Sequence, residues 1–498
     1  MSFRSLIGTG FVPACVLVAA LSACGGGSDP VSAPLGSSTP GNGTSSNPLD
    51  VKLTAAQMND NDLNTALYQA KVGATITLPA GKFTFKGPLT LDVSGVTVQG
   101  QGSGKDPSKD TILSFAGAPS KNGVQVRKVD GVVLRGFAVE DAVGNAVFVQ
   151  DSQKVVMDNL RAEWTDDPTR KSQMAYGLYP VNCQGVIVKN SKVVGTSDAG
   201  VYVGQSTNIR VQNNEAYLNV AGVEIENSTN AIVEDNYVHD NTGGILVFSL
   251  PGAYVIKKNA NTLVRNNRII NNNQPTALNA AGYVTAVPVG TGVMVLAADN
   301  TEIVGNTIDN HLSTAILAVS FQATGFPYND PTYDPFVRAV YAHGNAIKNT
   351  GAKPGGAFAS PPLNAIVEGL FAQLGAMGAP QLFPAGVWDG ILDPSQSEGL
   401  RAIPGFAPLG VGGTAKPAMA VCIKGNTLDT PNIPGQLSYE AIDLNLIGLQ
   451  VGQAIQAGQL PSSVIDGLPA DVLDLHFPFP SRLDCTLTLP AIPPMPVF

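Results

Sequence analysis

Two glutamates separated by a single residue, Glu224 and Glu226, are the side chains of this sequence best spaced for chemistry. On a β-strand such residues point to the same face, with their Cα atoms about 6.6 Å apart. Carboxyl groups at that sort of separation can serve as the acid and the base of inverting glycoside hydrolysis. The alternative is a pair of solvated or hydrogen-bonded glutamates on an outer sheet face. The residues alone leave both interpretations open, and we predict Glu224 and Glu226 as catalytic candidates.

Aromatic and charged residues accompany this pair. Rings stack on the apolar faces of sugars and charges orient the hydroxyl groups, so such a mixture is typical of a sugar site. The predicted substrate-binding residues are Tyr179, Tyr202, Asp166, Arg170 and Asp198. Arg170 would hold a carboxylate of the substrate, although the segment 166–170 is equally compatible with a plain solvated loop.

A motif that returns every 22 or 23 residues positions these side chains, as in Gly200–Gln205, Gly222–Asn227 and Gly244–Ser249. Each copy alternates like a strand, and so short a repeat is the signature of a solenoid. In every copy, one set of alternate residues is apolar and must face the core. The other alternate residues face outward. The first outward position of successive copies forms a column along the solenoid, which we call the outward column: Phe148, Tyr179, Tyr202, Glu224, Leu246 and Met294. Because the last two are apolar, we expect residues 351–420 or the C-terminal segment to cover them, which leaves Tyr179, Tyr202, Glu224 and Glu226 as the exposed part of this face.

A second motif repeats along the chain, between the copies of the first. It places an asparagine after each later strand, at Asn214, Asn236, Asn267 and Asn306. A recurring asparagine fits a corner with left-handed backbone at which amides stack from coil to coil. We therefore predict a structural role for these residues, in preference to ligand contact.

The strings Ala199–Ser206, Gly222–Ser228 and Gly244–Phe248 resemble the right-handed parallel β-helix superfamily, which contains pectate lyases and polysaccharide epimerases. More narrowly, they resemble bacterial envelope β-helix lipoproteins that have no agreed activity. The resemblance covers roughly residues 60–350 and a C-terminal return. It implies an all-β chain folded as a right-handed parallel β-helix solenoid, to which the residue pattern adds an N-terminal capping helix and a Gly/Pro/Ala-rich C-terminal insertion. The sharper motifs of polygalacturonases and mannuronan epimerases are missing, as is the calcium-binding glycine repeat.

The N-terminus reads as a targeting segment, because a short apolar stretch ends in Leu21–Cys24, which resembles a lipobox. We expect Cys24 to be lipidated and to hold the protein in the cell envelope, at the outer membrane of a Gram-negative bacterium. Residues 59–70 are predicted to form a helix that closes the open end of the solenoid. The predicted organisation is a lipoprotein signal peptide at 1–23, a flexible tether at 24–50, a parallel β-helix at 51–350, an insertion covering the helix face at 351–420, and a final coil and C-terminal strap at 421–498.

The remaining composition excludes some classes of function. A net charge of −9 disfavours a nucleic-acid groove. The mature cysteines lack zinc-ligand spacing and the four histidines are scattered, so no metal and no cofactor are predicted. Cys422 and Cys485 flank the C-terminal segment and are predicted to form a disulfide, whereas Cys183 is predicted to be buried.

Two hypotheses of different class follow. In the first, a monomeric, lipid-anchored protein binds or processes polysaccharide, with hydrolase, lyase and epimerase chemistry all open. In the second, it is a non-catalytic envelope scaffold that resembles the periplasmic β-helix proteins that assist copper delivery.

Overall fold

The computed structural model describes residues 47–166, 174–276, 280–354, 384–393, 417, 419–429, 441–444, 483–494 and the single residues 369, 372, 376 and 466. In this part of the chain, strands stack coil on coil into three parallel sheets of 12, 11 and 11 strands. Strands from successive repeats lie side by side in each sheet, which is the arrangement of a parallel β-helix. The predicted all-β solenoid is therefore confirmed.

Along the chain, the strands of the first sheet come directly after the strands that carry the outward column. Its strands are β1 (Val51–Lys52), β2 (Thr75–Thr77), β5 (Thr97–Gln99), β8 (Val133–Arg135), β11 (Gln153–Asp158), β14 (Gln184–Lys189), β17 (Thr207–Gln212), β20 (Thr229–Glu234), β23 (Ala260–Arg265), β26 (Asp299–Val304), β29 (Arg338–His343) and β32 (Val421–Ile423).

The second sheet lies one corner further along each coil. Its strands are β3 (Gly81–Thr84), β6 (Thr111–Ser114), β9 (Ala138–Glu140), β12 (Arg161–Glu163), β15 (Lys192–Val194), β18 (Glu215–Tyr217), β21 (Tyr237–His239), β24 (Arg268–Ile270), β27 (Thr307–His311), β30 (Ala346–Thr350) and β33 (Thr427–Asp429).

The third sheet carries Glu224 and Glu226. Its strands are β4 (Leu89–Leu91), β7 (Asn122–Arg127), β10 (Gly144–Gln150), β13 (Met174–Val181), β16 (Ala199–Gly204), β19 (Ala221–Glu226), β22 (Gly243–Phe248), β25 (Thr291–Leu296), β28 (Thr314–Val319), β31 (Gly386–Trp388) and β34 (Ala441–Asp443). The register agrees with the predicted outward column, because Tyr202 pairs with Glu224, and Glu224 pairs with Leu246.

The core of the solenoid is a continuous column of aliphatic side chains. Val201, Val223, Ile245 and Val293 occupy equivalent inward positions and are fully buried. Stacked valine and isoleucine suit this place because β-branched side chains pack well on a pleated surface. The third sheet is thereby a rigid support for whatever its outer face carries.

Asparagines fix the corner between the first and second sheets. Asn236 accepts hydrogen bonds from the main-chain N and the Nδ2 of Asn214 at 2.9 and 3.0 Å, and donates to the carbonyl of Val211 at 3.0 Å. The preceding residue carries the left-handed backbone, with φ of 55° at Asp235. The same pattern repeats along the corner at Asn214, Asn267, Asn306 and Asn345. The predicted structural role of the asparagines is confirmed.

A second ladder of buried asparagines supports the corner that leads into the third sheet. It passes from Asn219 through Asn241 and Asn272 to His311. Nδ2 of Asn272 donates to Nε2 of His311 at 3.1 Å, and burial lowers the pKa of His311 to about 3. This histidine is neutral and structural, as predicted.

An α-helix precedes the coils. It is α1 (Asp60–Gln69), and the side chain of Asn59 caps it by accepting from the main-chain N of Asn61 and Asp62. Leu63 and Leu67 are buried in the same core as the coils. Three short 3₁₀ helices are also described: Ala55–Gln57, Gly282–Ala286 and Phe321–Thr324. The predicted helix is present, and its role as a cap on the solenoid stays a prediction.

A second apolar cluster lies outside the coils, on the outer face of the third sheet. Leu246, Phe248, Met294 and Leu296 are buried there although they point away from the core. Segments that leave the coils cover them with Leu250, Val284, Val287, Phe321, Tyr333 and Phe336. Val387 also belongs to this cluster, but most of 351–420 lies outside the described residues. That this insertion forms the cover stays a prediction.

The last coil is tied covalently to the C-terminal segment. Cys422 and Cys485 form a disulfide, as predicted, and Cys183 is free and buried. None of the described helices is long and apolar enough to cross a membrane. The signal peptide, Cys24 and most of the tether lie outside the described residues.

Candidate active site

The candidate site lies where the outer face of the third sheet changes from accessible to covered. In β10 and β13 the outward residues Phe148, Gln150 and Tyr179 are partly exposed. From β16 to β28 every residue of the sheet is buried. Glu224 and Glu226 lie in β19, the second buried strand beyond this boundary.

Three carboxyl groups converge at the boundary. The charge of Asp198 raises the pKa of Glu224 and of Glu226, the charge of Glu226 adds to the effect on Glu224, and burial raises the pKa of all three groups. The pKa rises to about 7 for Asp198 and for Glu226, and well above the usual range for Glu224. No described lysine or arginine lowers any of these pKa values. At neutral pH the cluster therefore holds protons that ordinary carboxylates would have lost.

Tyrosine hydroxyl groups partner two of the three carboxyl groups. Oη of Tyr176 donates to Asp198 at 2.9 Å. The hydroxyl groups of Tyr202 and Tyr254 donate to Glu226, and these bonds lower its pKa against the effect of burial. Glu224 has no hydrogen-bond partner among the described residues, and only burial and its acidic neighbours act on its pKa. A buried carboxyl group without a partner is costly and is most stable as the neutral acid.

Gly204 makes the bond between Tyr202 and Glu226 possible. It lies beside Glu226 in the register of the sheet, and the Tyr202 side chain folds over it. A Cβ at position 204 would lie 2.3 Å from Oη of Tyr202. Only glycine leaves room for this ring, which explains why the outward column is interrupted here.

Aromatic rings form a continuous path that leads to the carboxyl groups. Ring centroids are 5.2 Å apart between Phe148 and Tyr179, 4.4 Å between Tyr179 and Tyr176, and 5.0 Å between Tyr176 and Tyr202. Tyr176 and Tyr179 are partly exposed, so this path opens to solvent at the end away from Glu226. Such a path suits sugar rings, which present apolar faces to aromatic side chains.

The sequence predicted Tyr202, Glu224 and Glu226 to be exposed, and this is wrong. Their exposed fractions are 5, 3 and 6%. The loop that follows β22 brings Tyr254 onto Glu226, and Tyr176 adds a ring over Tyr202 from the preceding coil. Tyr179 and Asp198 are partly exposed. Alternation along a strand correctly predicted the face, but it could not show that a loop closes over it.

The other predicted residues stand apart from this cluster. Asp166 is exposed, and no hydrogen bond or ion pair connects it with the cluster in the described structure. Arg170 lies outside the described residues. Trp164, which precedes the segment 166–170 in the sequence, belongs to the buried core of the coils.

Tyr176 was missed because its strand is bent. Strict alternation places Tyr176 on the inner side with Leu178. A Cβ at Gly177, however, would lie 2.2 Å from Cγ1 of the core residue Val193, so positions 177 and 178 both face inward. The residue before them is thereby turned outward, onto Tyr202. Glycine at this place in each repeat was the available signal.

Tyr254 was missed for a different reason. It belongs to the loop 250–258, which has no counterpart in neighbouring coils and so carries no periodic signal. As for metals, none of the described residues group three His, Cys, Asp or Glu side chains in a way that could hold an ion. The chemistry that the site offers is proton transfer between carboxyl groups of different pKa.

The comparisons with known proteins concern the fold. A family model described as a right-handed beta helix region matches residues 122–259. The parallel β-helix described above agrees with this match and continues beyond it on both sides. A search of curated proteins gives no match.

Solved structures of similar fold come from several bacteria. The A-module of mannuronan C-5 epimerase AlgE6 of Azotobacter vinelandii is 14% identical, over 76% of this chain and 92% of that chain, with a TM-score of 0.44. An alginate lyase of Paenibacillus sp. str. FPU-7 is 18% identical, over 60% of this chain and 95% of that chain, with a TM-score of 0.37. Likeness at this level shows the fold alone.

Proposed function

We propose that this β-helix protein hydrolyses a neutral polysaccharide at the boundary of its third sheet. One observation carries the proposal: Glu224 is buried, has no partner in the described structure and is held neutral beside Asp198 and Glu226, whose pKa values are about 7. Two carboxyl groups whose environments separate their pKa values are what acid/base cleavage of a glycosidic bond requires. The aromatic path beside them supplies the surface on which sugars lie.

In the proposed reaction Glu224 is the general acid. Its proton passes to the glycosidic oxygen as the bond between that oxygen and the anomeric carbon breaks. Glu226 is the general base and takes a proton from the water whose oxygen bonds to the anomeric carbon. The hydroxyl groups of Tyr202 and Tyr254 hold Glu226 in place, and Asp198 keeps Glu224 protonated through its negative charge. Tyr176 and Tyr179 are partly exposed, and the sugar enters from their side of the cluster.

Electrostatics favours hydrolysis of a neutral glycan over lyase or epimerase chemistry. Those reactions remove the proton beside the carboxylate of a uronic acid, and this carboxylate must be neutralised. Three acidic groups converge here, and no described lysine or arginine acts on them. A uronate would therefore be repelled from this site, whereas a neutral sugar would not.

A panel of bacterial and plant polysaccharides, scored for binding and for new reducing ends, tests this proposal. Glu224→Gln should retain binding and lose product release by about 100-fold or more. Glu302→Gln, on the first sheet, is the matched control and should behave like the unchanged protein. If Glu224→Gln cleaves a glycan at the normal rate, the site is wrong. If no glycan binds or is cleaved, the proposal fails and the scaffold hypothesis gains.

We also propose that Cys24 is lipidated and that the tether holds the β-helix at the envelope as a monomer. The lipobox-like Leu21–Cys24 and the Gly-, Ser- and Pro-rich residues that follow support this. Cys24→Ser should give an unprocessed precursor or a form that is soluble without detergent. Fractionation of a mature Cys24→Ser protein with membranes would contradict the anchor.

A further inference from the structure

We infer that the site acts on the ends of polysaccharide chains rather than within them. This inference rests on the proposed hydrolysis. The observation behind it is an asymmetry: the outer face of the third sheet is accessible on one side of Glu224 and Glu226 and sealed on the other. A chain that lies along this face can extend from the carboxyl groups in one direction only.

The accessible side consists of the outward positions of β7, β10 and β13. Gln125, Phe148, Gln150 and Tyr179 are all partly exposed. They pair across the strands in the order Gln125, Phe148, Tyr179, so they form a strip along the axis of the solenoid. Neighbouring strands are about 4.8 Å apart, and the three strand steps from Gln125 to Tyr202 span about 14 Å. This strip has room for a few sugar units in a row.

The composition of the strip also suits a neutral glycan. Amide side chains at Gln125 and Gln150 can donate to and accept from hydroxyl groups. The ring of Phe148 lies between that of Tyr179, at 5.2 Å, and the guanidinium of Arg127, at 5.7 Å from the centroid. The strip thus offers both aromatic rings and amide groups, which suit the apolar faces and the hydroxyl groups of a sugar.

The opposite side begins one strand beyond Glu224. Leu246 and Phe248, which follow Glu224 and Glu226 in the register, are buried against Leu250, Phe321 and Tyr333. Oη of Tyr333 donates to the carbonyl of Ser249 at 2.6 Å and thereby fixes the cover to the end of β22. No sugar unit can lie over these positions while the cover is in place.

Buried ion pairs hold this cover against the coils. Arg338, at the start of β29, pairs with Asp334 of the cover at 2.9 Å, and the side chain is fully buried. Nζ of Lys258 lies 3.3 Å from Asp299 and donates to the carbonyl of Phe336 at 2.5 Å. Removing one partner of such a network would leave a buried charge unpaired, which strongly opposes opening. The cover therefore stays in place and blocks this side of the site, so the terminal sugar unit stops at the carboxyl groups.

The size distribution of early products tests this inference. On a glycan that the protein cleaves, one short product should accumulate from the first time points, while the viscosity of the polymer falls little. A polymer whose ends are blocked chemically should be cleaved at least 10-fold more slowly than the same polymer with free ends. A rapid fall in viscosity with products of many lengths would overturn the inference and leave the proposed hydrolysis standing. Absence of cleavage on every glycan would overturn both.

Variants of the strip give a second measurement. Phe148→Ala should raise KM for a tetrasaccharide at least 5-fold with little effect on kcat, and it should have less effect on a disaccharide. Tyr341→Ala, on the first sheet, is the matched control and should change neither constant. If Phe148→Ala leaves KM for the tetrasaccharide unchanged, or affects both lengths equally, the glycan does not lie along this strip.

Discussion

At the residue scale, one strand face gives two neighbouring carboxyl groups different properties. Glu226 receives the hydroxyl groups of two tyrosines, whereas Glu224 receives none from the described residues. Both are buried, so the difference comes from hydrogen bonding and from the neighbouring charges and not from exposure. This separation is what allows one glutamate to give a proton while the other accepts one.

The pH dependence of activity belongs to this scale. Glu226 must be ionised to act as base, and its pKa is about 7. Glu224 must keep its proton, and its pKa is well above the usual range. We therefore expect kcat/KM to rise as the pH passes through about 7 and to fall only at higher pH. A profile that is flat from pH 5 to 9, measured on any cleaved glycan, would contradict these roles.

The same pKa values predict how stability varies with pH. A carboxyl group whose pKa is raised on folding stabilises the protein in its protonated form. This stabilisation is complete below the pKa of the unfolded chain, about 4. It is lost as the pH rises through about 7, the folded-state pKa of Asp198 and Glu226. The melting temperature should therefore fall between pH 5 and 8, and the melting temperature of the Glu226→Gln variant should fall less over the same range. An equal fall in both proteins would show that Glu226 is not the titrating group.

Gly204 offers a test of the bond that holds Glu226. A methyl group at this position would lie 2.3 Å from Oη of Tyr202, so Gly204→Ala must displace the ring. We expect a loss of about 1–3 kcal/mol in the free energy of unfolding, as for other overpacked sites. The onset of activity should also move to higher pH, because Glu226 loses a bond that lowers its pKa. Gly87→Ala, whose Cβ would meet nothing closer than 3.6 Å, is the control.

At the scale of the element, the corners and the faces of each coil have different roles. The corners repeat the same amide ladder from Asn214 to Asn345, and the faces differ from coil to coil. Periodic features could be predicted from the sequence because a structural need repeated in every coil leaves a repeated residue. The bend at Gly177 and the loop that carries Tyr254 occur locally, and their effect on the site could not be predicted by counting alternation.

The ladder gives the prediction for this scale. Asn236→Ala removes the acceptor of two hydrogen bonds from Asn214 and the donor to Val211. Leaving buried main-chain groups unpaired should lower the free energy of unfolding by about 1–2 kcal/mol, measured by denaturant titration. Activity of the folded protein should be unchanged, since the corner is remote from the third sheet's outer face. Gln212→Ala, on the outer face of β17, should cost much less, and an equal cost would contradict the role of the ladder.

At the scale of the whole molecule, the fold was predictable and the site only partly so. The repeat predicted the parallel solenoid and the register of the outward column, and the positions of Cys422 and Cys485 around the C-terminal segment predicted their disulfide. Exposure could not be predicted, because it depends on segments such as 320–337 that leave the coils and return over the face. The same segments cover the outer face on one side of Glu224 and Glu226 only, and so block one end of the strip. Function on this scaffold therefore depends on what interrupts the repeat.

The central claim is that Glu224 is the general acid, and the most direct test compares two leaving groups. Glu224→Gln should cleave the natural polysaccharide about 100-fold or more slowly than the unchanged protein. It should cleave a dinitrophenyl glycoside of the same sugar at a nearly normal rate, because that leaving group departs without a proton. Equal loss on both substrates, or no loss on either, would contradict the account.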